Sequence, residues 1–183
     1  MHFFLTDIIM DIAQNGAESG ASLIELHVAG SECLKEKGEL SFTVKDNGKG
    51  MTEEELKNAG NPFVNNGKKH PHRKAGFGLP FFIQTAEVSG GEWKIKSTGK
   101  GTTITGSFNC ENVDTPPIGD IPGMFRTVLL FEGPGEVVIS RTVNGRSYVL
   151  KKTELNDVLS DLGNSSSLIL LDKYLRGMEI PHS

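Results

Sequence analysis

Apolar and polar residues alternate at several places along the chain, and this alternation predicts strands. Leu40, Phe42 and Val44 alternate with a serine, a threonine and a lysine, which is the period of a strand with one buried face. Near the end of the chain, two further strands flank Asn144-Gly145, a strong signal for a two-residue hairpin turn. The predicted strands are residues 22–28, 40–45, 92–97, 102–108, 136–143 and 146–152.

A second pattern, with apolar residues three and four positions apart, predicts helices. In the first helix, Asp11 and Asn15 lie four residues apart and therefore share one face, beside the apolar stripe. A pair of exposed residues at the rim would show the same spacing. A Thr-x-x-Glu capping box at Thr52 opens another short helix before Gly60. The predicted helices are residues 3–19, 52–59, 79–88, 120–131, 153–162 and 166–176.

Asp46 to Met51, read Asp-Asn-Gly-Lys-Gly-Met, follows directly after a predicted strand. Asp46 then stands at the end of the strand, where its carboxylate can accept a hydrogen bond in a cleft. Gly48 and Gly50 would let a flat ligand approach the main chain closely. Because Asp, Asn and Gly are also the usual turn residues, an ordinary turn fits the same stretch.

Residues 64–75 lack an apolar period and contain several cationic side chains. They lead into Gly76-Phe77-Gly78-Leu79, which opens the helix over residues 79–88. Free backbone N–H groups and the helix dipole both favour an anion at such a helix start. We therefore expect a cationic loop beside a phosphate-binding site, although an exposed loop without function has the same composition.

Composition narrows the function classes. The net charge of -4 and the lack of a long basic run argue against a nucleic-acid partner. Cys33 and Cys110 are isolated in sequence, which indicates a reducing compartment, and we expect a cytoplasmic location. No apolar run reaches the roughly 18 residues that suggest a membrane span, so no membrane partner is expected.

The order of the elements predicts the domain organisation. Residues 1–109 hold the candidate chemistry and form the first predicted domain. Residues 110–119, with Pro116-Pro117, are typical of a linker. Residues 120–183 are predicted to form a small C-terminal subdomain of one helix, a hairpin and two helices.

Four short motifs within residues 3–108 resemble the ATP-binding domain that DNA gyrase B, the large heat-shock chaperone, histidine kinases and mismatch-repair ATPases share. This is the GHKL superfamily, and the fold is the Bergerat fold. The resemblance implies an α/β (α+β) two-layer sandwich, with helices on one face of a mixed, mostly antiparallel sheet. The motifs are Asp11 to Asn15 with residues 16–21, Asp46-Asn47-Gly48-Lys49-Gly50, Gly76-Phe77-Gly78-Leu79 and Gly99-Lys100-Gly101-Thr102.

The resemblance also implies roles at the adenine end of an ATP site. Asp46 would accept a hydrogen bond from the adenine amino group, and Thr102 would assist through a water molecule. Gly48 and Gly50 would make room for the ring, and Met51 would contribute to the same site.

At the phosphate end, Asn15 would bind Mg²⁺, which in turn would bridge the triphosphate oxygens. Residues 64–75 would form a lid over the nucleotide. Asp11, where the family's ATPases carry glutamate, would orient or deprotonate the attacking water. The implied phosphate contacts are Gly76, Phe77, Gly78 and Leu79.

Three functions stay open at the level of sequence. Asp11 is one methylene shorter than glutamate, which favours a slow ATPase or a nucleotide-gated regulatory module. A kinase is the alternative, and the sequence starts one or two residues before the first helix, without a helix that carries a phosphoacceptor histidine. Phosphate transfer would then take place in trans, as in anti-sigma-factor kinases. A protein partner or phosphoacceptor would bind through the lid or the C-terminal subdomain.

Overall fold

The computed structural model describes residues 4–30, 38–60, 78–143 and 145–180. Each predicted strand and helix is confirmed within these ranges, with ends displaced by at most a few residues. The strands are β1 (Leu23–Ala29), β2 (Glu39–Asp46), β3 (Trp93–Thr98), β4 (Gly101–Asn109), β5 (Glu136–Val143) and β6 (Arg146–Lys151). The helices are α1 (Leu5–Glu18), α2 (Glu53–Lys57), α3 (Gly78–Ser89), α4 (Ile121–Leu129), α5 (Lys152–Leu159) and α6 (Ser165–Glu179).

The strands form one mixed sheet in the order β3-β4-β2-β1-β5-β6. β1 and β5 are parallel, and the other neighbouring pairs are antiparallel. This confirms the predicted α+β fold with a mixed, mostly antiparallel sheet. The parallel pair attaches the C-terminal hairpin β5-β6 to the same sheet as the N-terminal strands. Strands from both sides of residues 110–119 thus share one sheet, and the division into domains at that segment stays a prediction.

One face of the sheet is apolar because the alternating residues of β1, β2 and β4 point to the same side. These side chains pack against the buried stripe of α1 and against Phe82 of α3. The Phe82 ring meets Phe42 edge-on, with ring centroids 5.3 Å apart, and Phe108 stacks on Phe42 at 5.9 Å. Burial of each such side chain contributes about 1.5–3 kcal/mol. The packing therefore fixes α1 and α3 side by side over the centre of the sheet.

Helix α6 is anchored to the sheet by a buried polar cluster. Arg141 of β5 is charged, yet its side chain lies on the apolar face of the sheet and is 0% exposed. Its Nη2 donates to Oε2 of Glu179 on α6 at 3.1 Å, and its Nη1 donates to the carbonyl oxygens of Gly30 and Thr142. The Tyr148 hydroxyl donates to Oε1 of Glu179 at 2.7 Å. These bonds tie the end of α6 to the sheet.

Across the four described ranges, none of the helices has the length and apolar character that a membrane span requires.

Candidate functional site

A cleft of about 320 Å³ opens beside the end of β2, which is within the range of small-ligand sites. Its walls come from α1, α3, β4 and the segment that follows β2. The site therefore gathers at least one residue from each of the four motifs singled out in the sequence. The lining residues include Ile12, Asn15, Ser19, Asp46, Gly50, Met51, Leu79 and Thr102.

Asp46 is the last residue of β2 and lines the cleft. Its Oδ1 accepts a hydrogen bond from the backbone N–H of Gly48 at 2.9 Å. The Ser19 hydroxyl lies 3.3 Å from the same oxygen and shares its single proton between it and the Gly16 carbonyl oxygen, which is 2.7 Å away. Oδ2 has no hydrogen-bond donor among the described residues and lies beside Gly16 of α1. One edge of the carboxylate is thus held by the protein, and the other is available to a ligand.

Thr102 lies directly opposite Asp46 in the antiparallel pair of β2 and β4. It is 8% exposed, and its hydroxyl is 2.9 Å from the Ser97 hydroxyl of β3. The Met51 backbone N–H donates to the same Ser97 oxygen at 2.7 Å. Ser97 and Ser19 were not among the predicted site residues. Ser97 could have been found from the tight β3-β4 turn, because the strand pairing that starts there places Ser97 opposite Thr102.

Gly48 and Gly50 have a packing role that the sequence did not reveal. A Cβ on Gly48 would overlap the Ser19 side chain, and one on Gly50 would overlap the Thr98 carbonyl oxygen. Gly50 also has a φ of +67°, which favours glycine. Gly48 is thus required by the packing against Ser19, and Gly50 by both its backbone conformation and the packing against Thr98. The prediction that they also make room for a ring stays a prediction.

Asp11 and Asn15 lie at the edge of α1 that faces the start of α3. A Cβ built on Gly78 would be 3.5 Å from the Asp11 Cβ and 3.7 Å from the Asn15 amide nitrogen. Asp11 is half-buried, and Asn15 is exposed and lines the cleft. The structure therefore brings the α1 pair together with the N-terminus of α3.

The Asn15 side chain makes no hydrogen bond to another described residue, so its carboxamide oxygen is available as a ligand for a hard cation. Within the described ranges, no group of three or more histidine, cysteine, aspartate or glutamate side chains could hold a metal ion. An ion here would therefore depend on oxygens that a bound ligand and water supply. The carboxamide oxygen of Asn15 would suit Mg²⁺ that is already coordinated by a polyphosphate.

The predicted phosphate contacts are described in part. Gly78 is the first residue of α3, and Leu79 lines the cleft. The free backbone N–H groups of that first turn favour an anion. Gly76, Phe77 and the predicted lid over residues 64–75 lie outside the described residues.

The part of the chain that forms most of this cleft is similar in sequence to known proteins. A family model described as histidine kinase-, DNA gyrase B-, and HSP90-like ATPase covers residues 3–112. Sporulation kinase C of Bacillus subtilis (strain 168) is 32% identical over 101 residues, or 55% of this chain and 22% of that protein. The chain thus spans less than a quarter of the length of this relative.

One solved structure shows the same fold at low sequence identity, and a second aligns less well. The N-terminal domain of a DNA repair protein aligns with a TM-score of 0.55 and 12% identity, over 90% of this chain and 58% of that chain. The Aquifex aeolicus MutL ATPase domain complexed with ADP aligns with a TM-score of 0.45 and 13% identity, over 88% and 70% of the two chains.

Proposed function

The chain belongs to the family of histidine kinase-, DNA gyrase B- and HSP90-like ATPases, and on this basis we propose that its cleft binds Mg-ATP and hydrolyses it slowly. The observation that carries the proposal is Asp46, whose Oδ2 edge has no donor among the described residues and lies inside a cleft of suitable size. The proposal concerns this domain, because the chain matches a small part of its kinase relative.

The adenine base is proposed to bind at the Asp46 end of the cleft. Its exocyclic amino group would donate to Oδ2 of Asp46, while Gly48 and Ser19 hold Oδ1 in place. Thr102, directly opposite Asp46, would complete the polar surface. Apolar side chains of Ile12 and Leu79 in the cleft wall would cover the faces of the ring.

The phosphates are proposed to bind at the start of α3. Gly78 and Leu79 would offer backbone N–H groups, and the partial positive charge of the helix N-terminus favours a polyanion. Asn15 would contribute its carboxamide oxygen to Mg²⁺. When bound, that ion would neutralise negative charge on the phosphate oxygens.

Asp11 is proposed to orient or deprotonate the attacking water. It lies one helical turn before Asn15 on α1 and next to Gly78, which supports a role near the proposed phosphate end of the cleft. A general base at this position is expected to contribute about 10²- to 10⁴-fold to the rate. The shorter reach of aspartate supports slow turnover or use of the nucleotide as a regulatory switch.

A kinase that acts in trans is the second candidate. The identity of 32% with sporulation kinase C favours it. The acceptor would then be a protein partner that replaces water at the terminal phosphate. The two candidates share the ATP site and differ in what attacks the phosphate.

Incubation of the purified chain with γ-labelled Mg-ATP tests the proposal. Wild type is expected to release free phosphate slowly. Asp11→Asn should keep nucleotide affinity and lose most of the release, whereas Asn15→Ala should weaken Mg-ATP binding itself. Asp114→Asn, an exposed carboxylate on the segment between β4 and α4, is the matched control and should behave as wild type.

Equal phosphate release by wild type and Asp11→Asn would remove Asp11 from the mechanism. If wild type binds ATP and releases phosphate only to an added acceptor protein, the kinase reading replaces the ATPase. Binding without either reaction would identify a nucleotide-gated module.

A further inference from the structure

Three side chains form a polar row across neighbouring strands at the end of the cleft. Asp46 of β2 is paired with Thr102 of β4, and Thr102 is paired with Ser97 of β3. The Ser97 oxygen lies within hydrogen-bond distance of the Met51 backbone nitrogen at 2.7 Å, Thr102 Oγ1 at 2.9 Å and the Gly101 carbonyl oxygen at 3.2 Å. Ser97 therefore has three partners inside the protein.

The number of protons decides the direction of these bonds. A serine hydroxyl has one proton to donate and two lone pairs to accept with. The Met51 N–H can only donate, and the Gly101 carbonyl can only accept. All three contacts are satisfied together in one arrangement, in which Ser97 donates to Gly101 and accepts from Met51 and Thr102. If Ser97 instead donates to Thr102, the bond to Gly101 is lost.

In the fully satisfied arrangement, the single proton of the Thr102 hydroxyl points to Ser97. Thr102 can then offer a ligand only its lone pairs. Asp46 beside it offers a carboxylate oxygen, which also only accepts. The neighbouring side chains of Asp46 and Thr102 thus form a pair of acceptors at this end of the cleft.

We propose that Ser97 is a positioning residue that fixes Thr102 as a hydrogen-bond acceptor, so that this end of the cleft selects purines with a 6-amino group over 6-oxo purines. The inference rests on the proposed ATP function and adds the device that sets base specificity. A 6-amino group donates to this pair of acceptors. A 6-oxo group would direct its own lone pairs at those of Thr102, which is unfavourable.

Equilibrium binding of ATP and of inosine triphosphate, which carries a 6-oxo purine, tests the inference. Wild type is expected to prefer ATP by at least about tenfold, since one mispaired buried polar group costs this much or more. In Ser97→Ala the Thr102 hydroxyl is free to turn and donate to the 6-oxo group. Affinity for inosine triphosphate should rise, and the preference for ATP should fall about threefold to tenfold.

The rise in affinity distinguishes this role from a purely structural one, because a loosened cleft would weaken both nucleotides alike. The double variant Ser97→Ala, Thr102→Val should not gain affinity for inosine triphosphate, since no hydroxyl remains at position 102 to donate to the 6-oxo group. Ser97→Thr, which keeps the hydroxyl, should retain the wild-type preference. Ser107→Ala is the matched control, since Ser107 accepts a backbone N–H from Glu92 in the same β3-β4 hairpin and does not line the cleft.

Thr102→Val alone provides a second test that does not depend on the folding of Ser97→Ala. It should weaken ATP more than inosine triphosphate, whereas a larger loss for inosine triphosphate would show that Thr102 donates and would overturn the inference. An unchanged preference in folded Ser97→Ala would overturn it while leaving ATP binding intact. A wild type that binds neither nucleotide would overturn the proposed function as well.

Discussion

Glu179→Ala should destabilise the chain strongly, although Glu179 lies far along the chain from the cleft. Its carboxylate is the anionic partner of Arg141, whose side chain is 0% exposed, and it also accepts from the Tyr148 hydroxyl. Burial and the hydrogen bond to Glu179 raise the pKa of Tyr148 well above its ordinary value, so Tyr148 stays a donor. The substitution leaves a buried cation without its counter-charge and a buried hydroxyl without its acceptor.

The expected loss follows from the type of contact. Removal of one partner of a buried ion pair costs about 3–5 kcal/mol, because the other charge stays desolvated. A chain of this size loses about 2–4 °C in Tm for each kcal/mol, so Tm should fall by about 6–20 °C. Differential scanning calorimetry or thermal circular dichroism measures the shift.

The same helix supplies a matched control. Asp172 of α6 also pairs with arginines, at 2.8 Å from Arg176 and 3.0 Å from Arg126. Because both arginines are exposed and Asp172 is only partly buried, Asp172→Ala should lower Tm by at most about 4 °C. A shift for Glu179→Ala no larger than that of Asp172→Ala would refute the argument.

Replacement of the whole cluster separates lost attraction from uncompensated charge. In the triple variant Arg141→Met, Tyr148→Phe, Glu179→Leu, no buried charge is left without its partner, although the carbonyl oxygens of Gly30 and Thr142 lose the Arg141 donor. Apolar replacements of buried ion pairs are often neutral or stabilising. The triple variant should therefore recover most of the Tm that Glu179→Ala loses.

Two further predictions concern stability. Gly50→Ala places a side chain at positive φ and against the Thr98 carbonyl oxygen, so the free energy of unfolding in urea should fall by about 1–3 kcal/mol. Gly99→Ala, where a Cβ meets open space, should change it little. Partial burial raises the pKa of Glu136, but hydrogen bonds from Thr153 and its neighbours outweigh this and leave the pKa below its ordinary value. The folded state thus favours the charged carboxylate. This contribution to the free energy of unfolding is present above about pH 4.5 and is lost as the pH falls through the folded pKa. Urea titrations at several pH values should show a smaller contribution in Thr153→Val.

Local patterns were sufficient to predict the elements and much of the cleft. The alternation in residues 40–45 predicts that Asp46 stands at the end of a strand, and the spacing of Asp11 and Asn15 predicts their common face. The β3-β4 hairpin is also predicted, and with it the position of Thr102. In each case the signal lies within a few residues of the structure that it predicts.

Contacts between distant segments could not be predicted in this way. The Asn144-Gly145 signal predicts that β5 pairs with β6, but it does not show that β5 joins the sheet beside β1. Alternation within β5 places Arg141 on the apolar face, while its partner Glu179 is 38 residues away at the end of helix α6. The requirement for glycine at position 48 likewise depends on Ser19, which only the packed structure brings next to it.

We propose that the cleft binds ATP with its adenine at Asp46. Calorimetric titration of Mg-ATP into wild type and into Asp46→Asn tests this placement of the adenine. An asparagine can keep accepting from Gly48 and Ser19 with its oxygen, so the fold should survive. Its amide group then replaces the free acceptor edge with donors. Wild type should bind Mg-ATP, and Asp46→Asn should lose more than about tenfold in affinity or show no detectable binding. The control Asp114→Asn should keep the wild-type affinity. Unchanged affinity in a folded Asp46→Asn variant would contradict the adenine assignment.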